Sequence, residues 1–132
     1  MTRRSAIVVL FNPLGQVLLL RRSGTDPWRP HFWNCPGGLV QAGESFYDAA
    51  VRELYEEAGL SGIELKPAFP LSPISVVFSG LYSQPGQSVT LTDREHDAFG
   101  WFELGCLPEP LLVSTRILLE RVALVQSSSS GR

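Results

Sequence analysis

Short runs of β-branched, aromatic and aliphatic residues alternate along this chain with turn-forming Gly, Pro and Asn, a pattern typical of strands. The first two runs, residues 6–11 and 17–21, flank a turn at residues 12–15 and predict a hairpin. The remaining predicted strands are residues 39–40, 62–65, 74–82, 89–91 and 99–103. The stretch that follows residues 62–65 is expected to be broken by prolines, namely Pro67, Pro70 and Pro73.

A helical period replaces the strand pattern in two places. After Ser45, a good N-cap residue, a helix of about 13 residues is predicted, and Gly59 suits the left-handed position that ends it. Two apolar rows at four-residue spacing predict that this helix is largely buried. The rows are Phe46, Ala50, Leu54 and Ala58, and Tyr47, Val51 and Tyr55. The second helical period covers residues 111–125.

The predicted elements follow the order β-β-(β)-α-β-β-β-β-α, which indicates an α/β fold with a mixed sheet and helices on the outside. A chain of 132 residues with 44% apolar and 18% charged residues is typical of one globular domain, placed here at residues 1–126. The serine-rich residues 127–132 are predicted to form a disordered tail.

Charge and cysteine content narrow the classes of partner and compartment. The formal net charge of −2 provides no basic footprint, so neither polymeric nucleic acid nor a membrane surface is an expected partner. No apolar run approaches the ~20 residues of a membrane-spanning helix. The two cysteines, Cys35 and Cys106, suggest no disulfide framework, so a reducing, cytoplasmic location is predicted.

The first helix carries Glu53, Glu56 and Glu57 on one face. Like charges at this spacing repel each other, and a cation would offset the repulsion. Carboxylates are hard oxygen ligands, which suit Mg²⁺ or Mn²⁺. A solvated acidic face with no metal is the simpler interpretation of these residues alone. The turn at Gly37 and Gly38, where the backbone can approach a bound group closely, favours a site.

Residues 38–60 also match a longer pattern of fixed spacing, in which Gly, five residues, Glu and seven residues precede Arg-Glu-apolar-x-Glu-Glu-x-Gly-apolar. This segment resembles the Nudix box, the signature of Mg²⁺-dependent hydrolases of nucleoside diphosphates linked to another group. The resemblance implies a Nudix-type α/β/α sandwich with a mixed central sheet. The matching residues are Gly38, Glu44, Arg52, Glu53, Leu54, Glu56, Glu57, Gly59 and Leu60.

The resemblance also implies roles for individual residues. The metal ligands would be Glu53, Glu56, Glu57 and the carbonyl of Gly38, with Glu44 and the catalytic-site Arg52 orienting these carboxylates. Arg21, which closes a predicted strand, could reach a phosphate, as could the backbone of Gly37 and Gly38. Candidate base-stacking residues, for which core packing is the alternative, are Phe78, Tyr82 and Trp101.

The general base has three candidates, Glu53, Glu95 and His96. Glu95 lies in a polar loop predicted for residues 93–97, where a solvated side chain is the alternative. The same loop is similar to that of GDP-mannose mannosyl hydrolases, in which a histidine is the base and water attacks the sugar carbon. Those enzymes depart from the standard box and this sequence does not, which favours attack at phosphorus.

The sequence leaves the substrate and the assembly open. The short chain is most similar to nucleoside triphosphate pyrophosphohydrolases of the MutT type or to small NDP-sugar hydrolases. Two other functions are weighed against hydrolysis: a non-catalytic nucleotide-sensing module, and an acidic-helix interaction protein that binds no metal. A homodimer is one alternative for the oligomeric state.

Overall fold

The computed structural model describes residues 3–83 and 87–130, the last five of them by their backbone alone. In these ranges, seven strands and two helices follow one another. The strands are β1 (Ser5–Phe11), β2 (Val17–Arg22), β3 (Trp33–Asn34), β4 (Gly37–Leu39), β5 (Leu65–Ser72), β6 (Ser75–Leu81) and β7 (His96–Phe102); the helices are α1 (Phe46–Ala58) and α2 (Val113–Ser130).

The strands form one mixed sheet in the order β3-β2-β1-β6-β5, with β4 paired to β1 and β7 paired to β2. Only the β1–β6 pair is parallel among the described pairs, and the predicted β1–β2 hairpin is confirmed. Strand β1 is buried on both faces, because Val8 packs towards α1 and Val9 packs towards α2. The helices therefore cover opposite faces, and the α/β/α sandwich is confirmed.

The strand predictions fail where edges and bulges override local propensity. Strand β5 continues through Pro67 and Pro70, which were expected to break it, because β5 is an edge strand with register shifts beside both prolines. Residues 89–91 are not a strand; Thr90 N–H instead donates to the Ala58 carbonyl at 2.9 Å, which ties this segment to the end of α1. Strand β7 begins at His96, inside the predicted polar loop.

Helix α1 has the predicted ends, with Asp48 N–H donating to Ser45 Oγ at 3.0 Å and Gly59 left-handed at φ 71°. The prediction that it is largely buried is wrong for its second apolar row, since Tyr47 and Tyr55 are 44% and 60% exposed. One face of α1 packs on the sheet, and a helix lying on a sheet leaves its outer face in water. Its buried residues are Ala49, Ala50, Leu54, Glu57 and Ala58.

Replacing Ser45 with Ala removes the only side-chain acceptor that the structure describes for the first turn of α1. We expect a loss of about 1 kcal/mol in the free energy of unfolding, measured by urea denaturation. Ser45→Asp, which keeps an accepting oxygen, is the matched control and should retain most of the stability. Equal destabilisation by both substitutions would contradict this role of the hydroxyl.

Helix α2 continues beyond the predicted residues 111–125, and its backbone reaches Ser130. The disordered tail at residues 127–132 stays a prediction, because the structure describes only the backbone of residues 126–130 and residues 131–132 lie outside the described ranges. The predicted turn at residues 83–87 also lies largely outside them. In the described chain, neither helix combines the length and apolar character needed to cross a bilayer.

Candidate active site

Arg52 is the centre of the acidic face of α1. Its Nε donates to Glu44 at 2.7 Å, and its Nη1 donates to Glu53 and to Glu56 at 2.9 Å each. Its Nη2 donates to the Leu39 carbonyl at 2.9 Å, which fixes the chain entering the helix. The hydrogen bonds from Arg52 hold the pKa of Glu44 below its usual value. One guanidinium group thus positions three carboxylates and the loop beside them.

Two glycines allow β4 to lie directly against these carboxylates. Gly37 N–H donates to Glu57 Oε1 at 2.9 Å. A Cβ on Gly37 would lie 2.4 Å from the Ala6 carbonyl oxygen, and one on Gly38 would lie 2.5 Å from Glu53 Oε1. A side chain at either position would therefore displace the sheet or the site.

Glu57 and Glu53 are carboxyl groups in an environment that disfavours their charge. Burial raises the pKa of Glu57 to about 9, and the nearby Glu53, Asp93 and Glu95 add to the rise while the Gly37 N–H opposes it. Burial also raises the pKa of Glu53, which lines the same cavity as Glu57. A cation at this position would favour the charged form of both carboxyl groups.

The oxygen-rich donor set fits a divalent cation such as Mg²⁺ or Mn²⁺. Glu53 and Glu57 line a cavity of about 560 Å³ together with the Gly37 and Gly38 backbone. Glu56 lines an adjoining cavity of about 380 Å³. The predicted metal-ligand residues are thus grouped on one side of α1.

The far side of the cavity brings in residues that the sequence placed in a loop. Glu95 and His96 line the same cavity as Glu57. His96 is 7% exposed, and its Nδ1 lies 3.1 Å from Asp93 Oδ2. Asp93 was not among the predicted site residues, because only the tie between residues 90–92 and the end of α1 brings it here.

Arg22 lines the cavity, whereas Arg21, which the sequence predicts to reach a phosphate, does not. Arg21 instead pairs with Asp97 at 2.8 Å on a partly exposed surface. Arg22 pairs with Asp26, and its Nε is buried without a hydrogen-bond partner among the described residues. A register shift between Arg21 and Arg22 directs the second arginine into the site. Strand alternation in the sequence does not reveal such a bulge.

The predicted aromatic contacts divide between core and rim. Phe78 is 3% exposed within the core under α1, which leaves no ring face for a base. Tyr82 is partly buried, and its ring stacks on Trp101 with centroids 5.3 Å apart. None of these three aromatic rings lines the cavity that holds Glu57. Cys35, next to the glycines, is buried, and burial raises the pKa of its thiol to about 12, so it is an inert thiol.

Arg52→Lys keeps the charge but loses the planar fork that joins Glu44, Glu53 and Glu56. We expect a loss of about 1–2 kcal/mol in the free energy of unfolding, measured in metal-free buffer by chemical denaturation. Arg116→Lys, which alters a single ion pair with Glu109 on the exposed surface, is the matched control and should change stability by less than about 0.5 kcal/mol. Wild-type stability in Arg52→Lys would show that the fork is dispensable.

Comparison with known proteins agrees with this geometry. A model of the NUDIX domain matches residues 1–121. An RNA pyrophosphohydrolase from Bartonella quintana is 43% identical over 67 residues, which are 48% of this chain and 39% of that protein. The matched region spans less than half of the length of this and similar curated relatives.

Solved structures give the same result over nearly the whole chain. The MutT protein from Methanosarcina mazei Go1 is 26% identical, covers 94% of each chain and superposes with a TM-score of 0.71. A MutT NUDIX hydrolase from Burkholderia pseudomallei is 30% identical over 91% of this chain and 97% of that one, with a TM-score of 0.68. Because the family model, the sheet order and the complete box coincide on the same residues, the chain belongs to the Nudix hydrolase family.

Proposed function

We propose that this protein hydrolyses a phosphoanhydride bond in a nucleoside diphosphate linked to another group, with Mg²⁺ or Mn²⁺ as cofactor and water attacking phosphorus. The observation that carries the proposal is the arrangement of Glu53 and Glu57 around the Gly37–Gly38 backbone, at the wall of a cavity large enough for a nucleotide. The substrate would be a small nucleotide, of nucleoside triphosphate or NDP-sugar type.

The residues of the chain divide the work between binding and positioning. A divalent cation bound by the box glutamates would neutralise diphosphate charge and polarise a phosphoryl oxygen. Arg52 keeps Glu53 and Glu56 in fixed positions, so little reorganisation is needed when substrate enters. Arg22, whose Nε lacks a partner among the described residues, would donate to a phosphate oxygen.

We assign the general base to Glu95 rather than Glu53. Glu53 is held by the Arg52 guanidinium, whereas the Glu95 side chain is exposed at the cavity and makes no hydrogen bond or ion pair with a described residue. Glu95→Gln is expected to lower kcat by about 10²-fold while Mg²⁺ affinity, measured by titration calorimetry, changes less than about threefold. Glu103→Gln, at the far end of β7, is the control. Unchanged turnover in Glu95→Gln would return the role to Glu53.

Hydrolysis at a sugar carbon is a second candidate, because His96 lines the cavity and Asp93 fixes its ring. In such a reaction His96 would remove a proton from water, and free sugar plus a nucleoside diphosphate would be released. Attack at phosphorus instead leaves the new oxygen on a phosphate. The two reactions therefore differ in the position of an isotopic label from water.

The deciding experiment incubates the protein with Mg²⁺ and a panel of nucleoside triphosphates, NDP-sugars, dinucleoside polyphosphates and a 5′-triphosphorylated oligonucleotide. The oligonucleotide tests the activity named for the Bartonella quintana relative, although the net charge of −2 favours a small substrate. Nucleoside monophosphate plus pyrophosphate would indicate a triphosphate substrate, and nucleoside monophosphate plus sugar phosphate would indicate an NDP-sugar. A parallel reaction with excess EDTA is expected to give no product.

Repeating the active reaction in H₂¹⁸O locates the attack. Label in a phosphate product supports the proposal, and label in free sugar supports the His96 reaction. Binding of a panel member without any product would indicate a nucleotide-sensing module. Failure of Mg²⁺ and Mn²⁺ to change thermal stability or turnover would favour an acidic-helix protein without a metal. The homodimer and the cytoplasmic location stay predictions.

A further inference from the structure

His96, Asp93 and Glu57 bring one nitrogen donor and two oxygen donors together beside α1. One potential ligand atom from each residue lies within 4.8 Å of the other two. Three ligands spread evenly about 2.2 Å from one ion are about 3.8 Å apart. Inward shifts of at most about 0.6 Å for each atom would therefore place all three around one cation.

The three side chains are held by elements that pack against each other. Glu57 lies on α1 and is 5% exposed. The segment carrying Asp93 is fixed to the end of the same helix, where Thr90 N–H donates to the Ala58 carbonyl at 2.9 Å. His96 is the first residue of β7, so its backbone is paired within the sheet. The cluster is thus preorganised by a helix, a tied segment and a strand.

An unsatisfied atom and a close pair of donors indicate that the cluster fits a cation. Asp93 Oδ1 is buried with no hydrogen-bond partner in the described chain. Buried polar atoms without partners are rare in proteins, and a cation bound by this carboxylate would satisfy it. Asp93 Oδ2 lies 3.1 Å from His96 Nδ1, and the His96 side chain is 4% exposed. A separation of about 3 Å is that of two neighbouring ligands of one cation.

Building on the proposed metal dependence, we propose that His96 Nδ1 and the Asp93 carboxylate are further ligands of a divalent cation held by Glu57, and that this position selects Mn²⁺ over Mg²⁺. Mg²⁺ prefers an all-oxygen shell, whereas imidazole nitrogen is a good ligand for transition metals. The same Nδ1 lone pair cannot also serve as the base in sugar-carbon hydrolysis.

The proposal is tested with Mn²⁺ itself as the probe, without substrate. Electron spin-echo envelope modulation of the Mn²⁺-loaded protein is expected to show coupling to a directly bound imidazole ¹⁴N. His96→Gln should abolish this coupling and weaken Mn²⁺ binding by about 10- to 100-fold, while Mg²⁺ affinity falls less than about threefold. The chain has only one other histidine, His31, which is exposed and left-handed, so His31→Asn is the matched control and should keep the ¹⁴N signal.

The outcomes separate this inference from the proposed function. Wild-type protein that binds Mn²⁺ without ¹⁴N coupling overturns the inference, even if Mg²⁺-dependent turnover is found. Coupling that depends on His96 supports the inference, even if no member of the substrate panel is hydrolysed. Coupling that persists in His96→Gln overturns the assignment to His96. If His96→Gln does not fold, the ¹⁴N coupling of the wild type and the Mn²⁺ affinity of Asp93→Asn decide. Loss of the Asp93 ligand should weaken Mn²⁺ binding about tenfold or more.

Discussion

Glu57→Gln is expected to lower Mg²⁺-dependent turnover of the active substrate by at least about 10³-fold. Glu57 is 5% exposed, accepts a hydrogen bond from the Gly37 N–H and lines the same cavity as Glu53. Glutamine keeps the size of the side chain and an oxygen for the Gly37 N–H, but it removes one negative charge from the proposed metal site. Loss of several kcal/mol of charge stabilisation in the transition state corresponds to a rate loss of this size.

The measurement is steady-state product release at saturating substrate over a series of Mg²⁺ concentrations. Glu64→Gln is the matched control, because it makes the same chemical change at a side chain that is 81% exposed. The Glu64 carboxylate pairs only loosely with Lys66, at 3.8 Å. The control should retain wild-type turnover. If Glu57→Gln also retained turnover within about threefold, Glu57 would not be a ligand of the catalytic metal. Recovery of activity at high Mg²⁺ alone would instead indicate weakened binding.

The sequence predicts the centre of the fold better than its edges. Strands β1 and β2 and helix α1 are predicted closely because propensity, turn residues and caps agree there. Strand β5 is missed because an isolated sequence does not show which strand lies at a sheet edge, where Pro67 and Pro70 are tolerated. The stretch at residues 89–91 has a strand-like composition but pairs with the end of a helix instead.

The same distinction applies to the site. Residues on α1 are fixed relative to one another by the helical period, so the sequence predicts that Glu53, Glu56 and Glu57 lie together. Residues from other segments are not fixed relative to these glutamates by any sequence period, because their approach depends on tertiary contacts. Asp93 reaches Glu57 only through the tie between its segment and α1, and Arg22 enters the cavity through a bulge. These contacts decide which polar residues meet.

Metal-free wild-type protein is expected to lose stability as the pH rises from about 5 to 9, and Glu57→Gln is expected to lose much less. The folded protein raises the pKa of Glu57 to about 9 from an ordinary value of 4.5, chiefly by burial. Because the folded state binds this proton more tightly than the unfolded chain, folding is favoured below the unfolded pKa. That advantage is lost as the pH rises towards the folded pKa.

The difference between the two proteins isolates this proton. At pH 8 in EDTA, Glu57→Gln should be more stable than the wild type by about 2–3 kcal/mol, whereas at pH 5 the two should be nearly equal. Urea denaturation at each pH measures the difference. Adding Mg²⁺ at pH 8 should reverse the order, because the cation stabilises only the protein that retains the Glu57 carboxylate. Parallel pH profiles for the two proteins would mean that Glu57 ionises freely in the folded state, and the cavity would then have no electrostatic need for a cation.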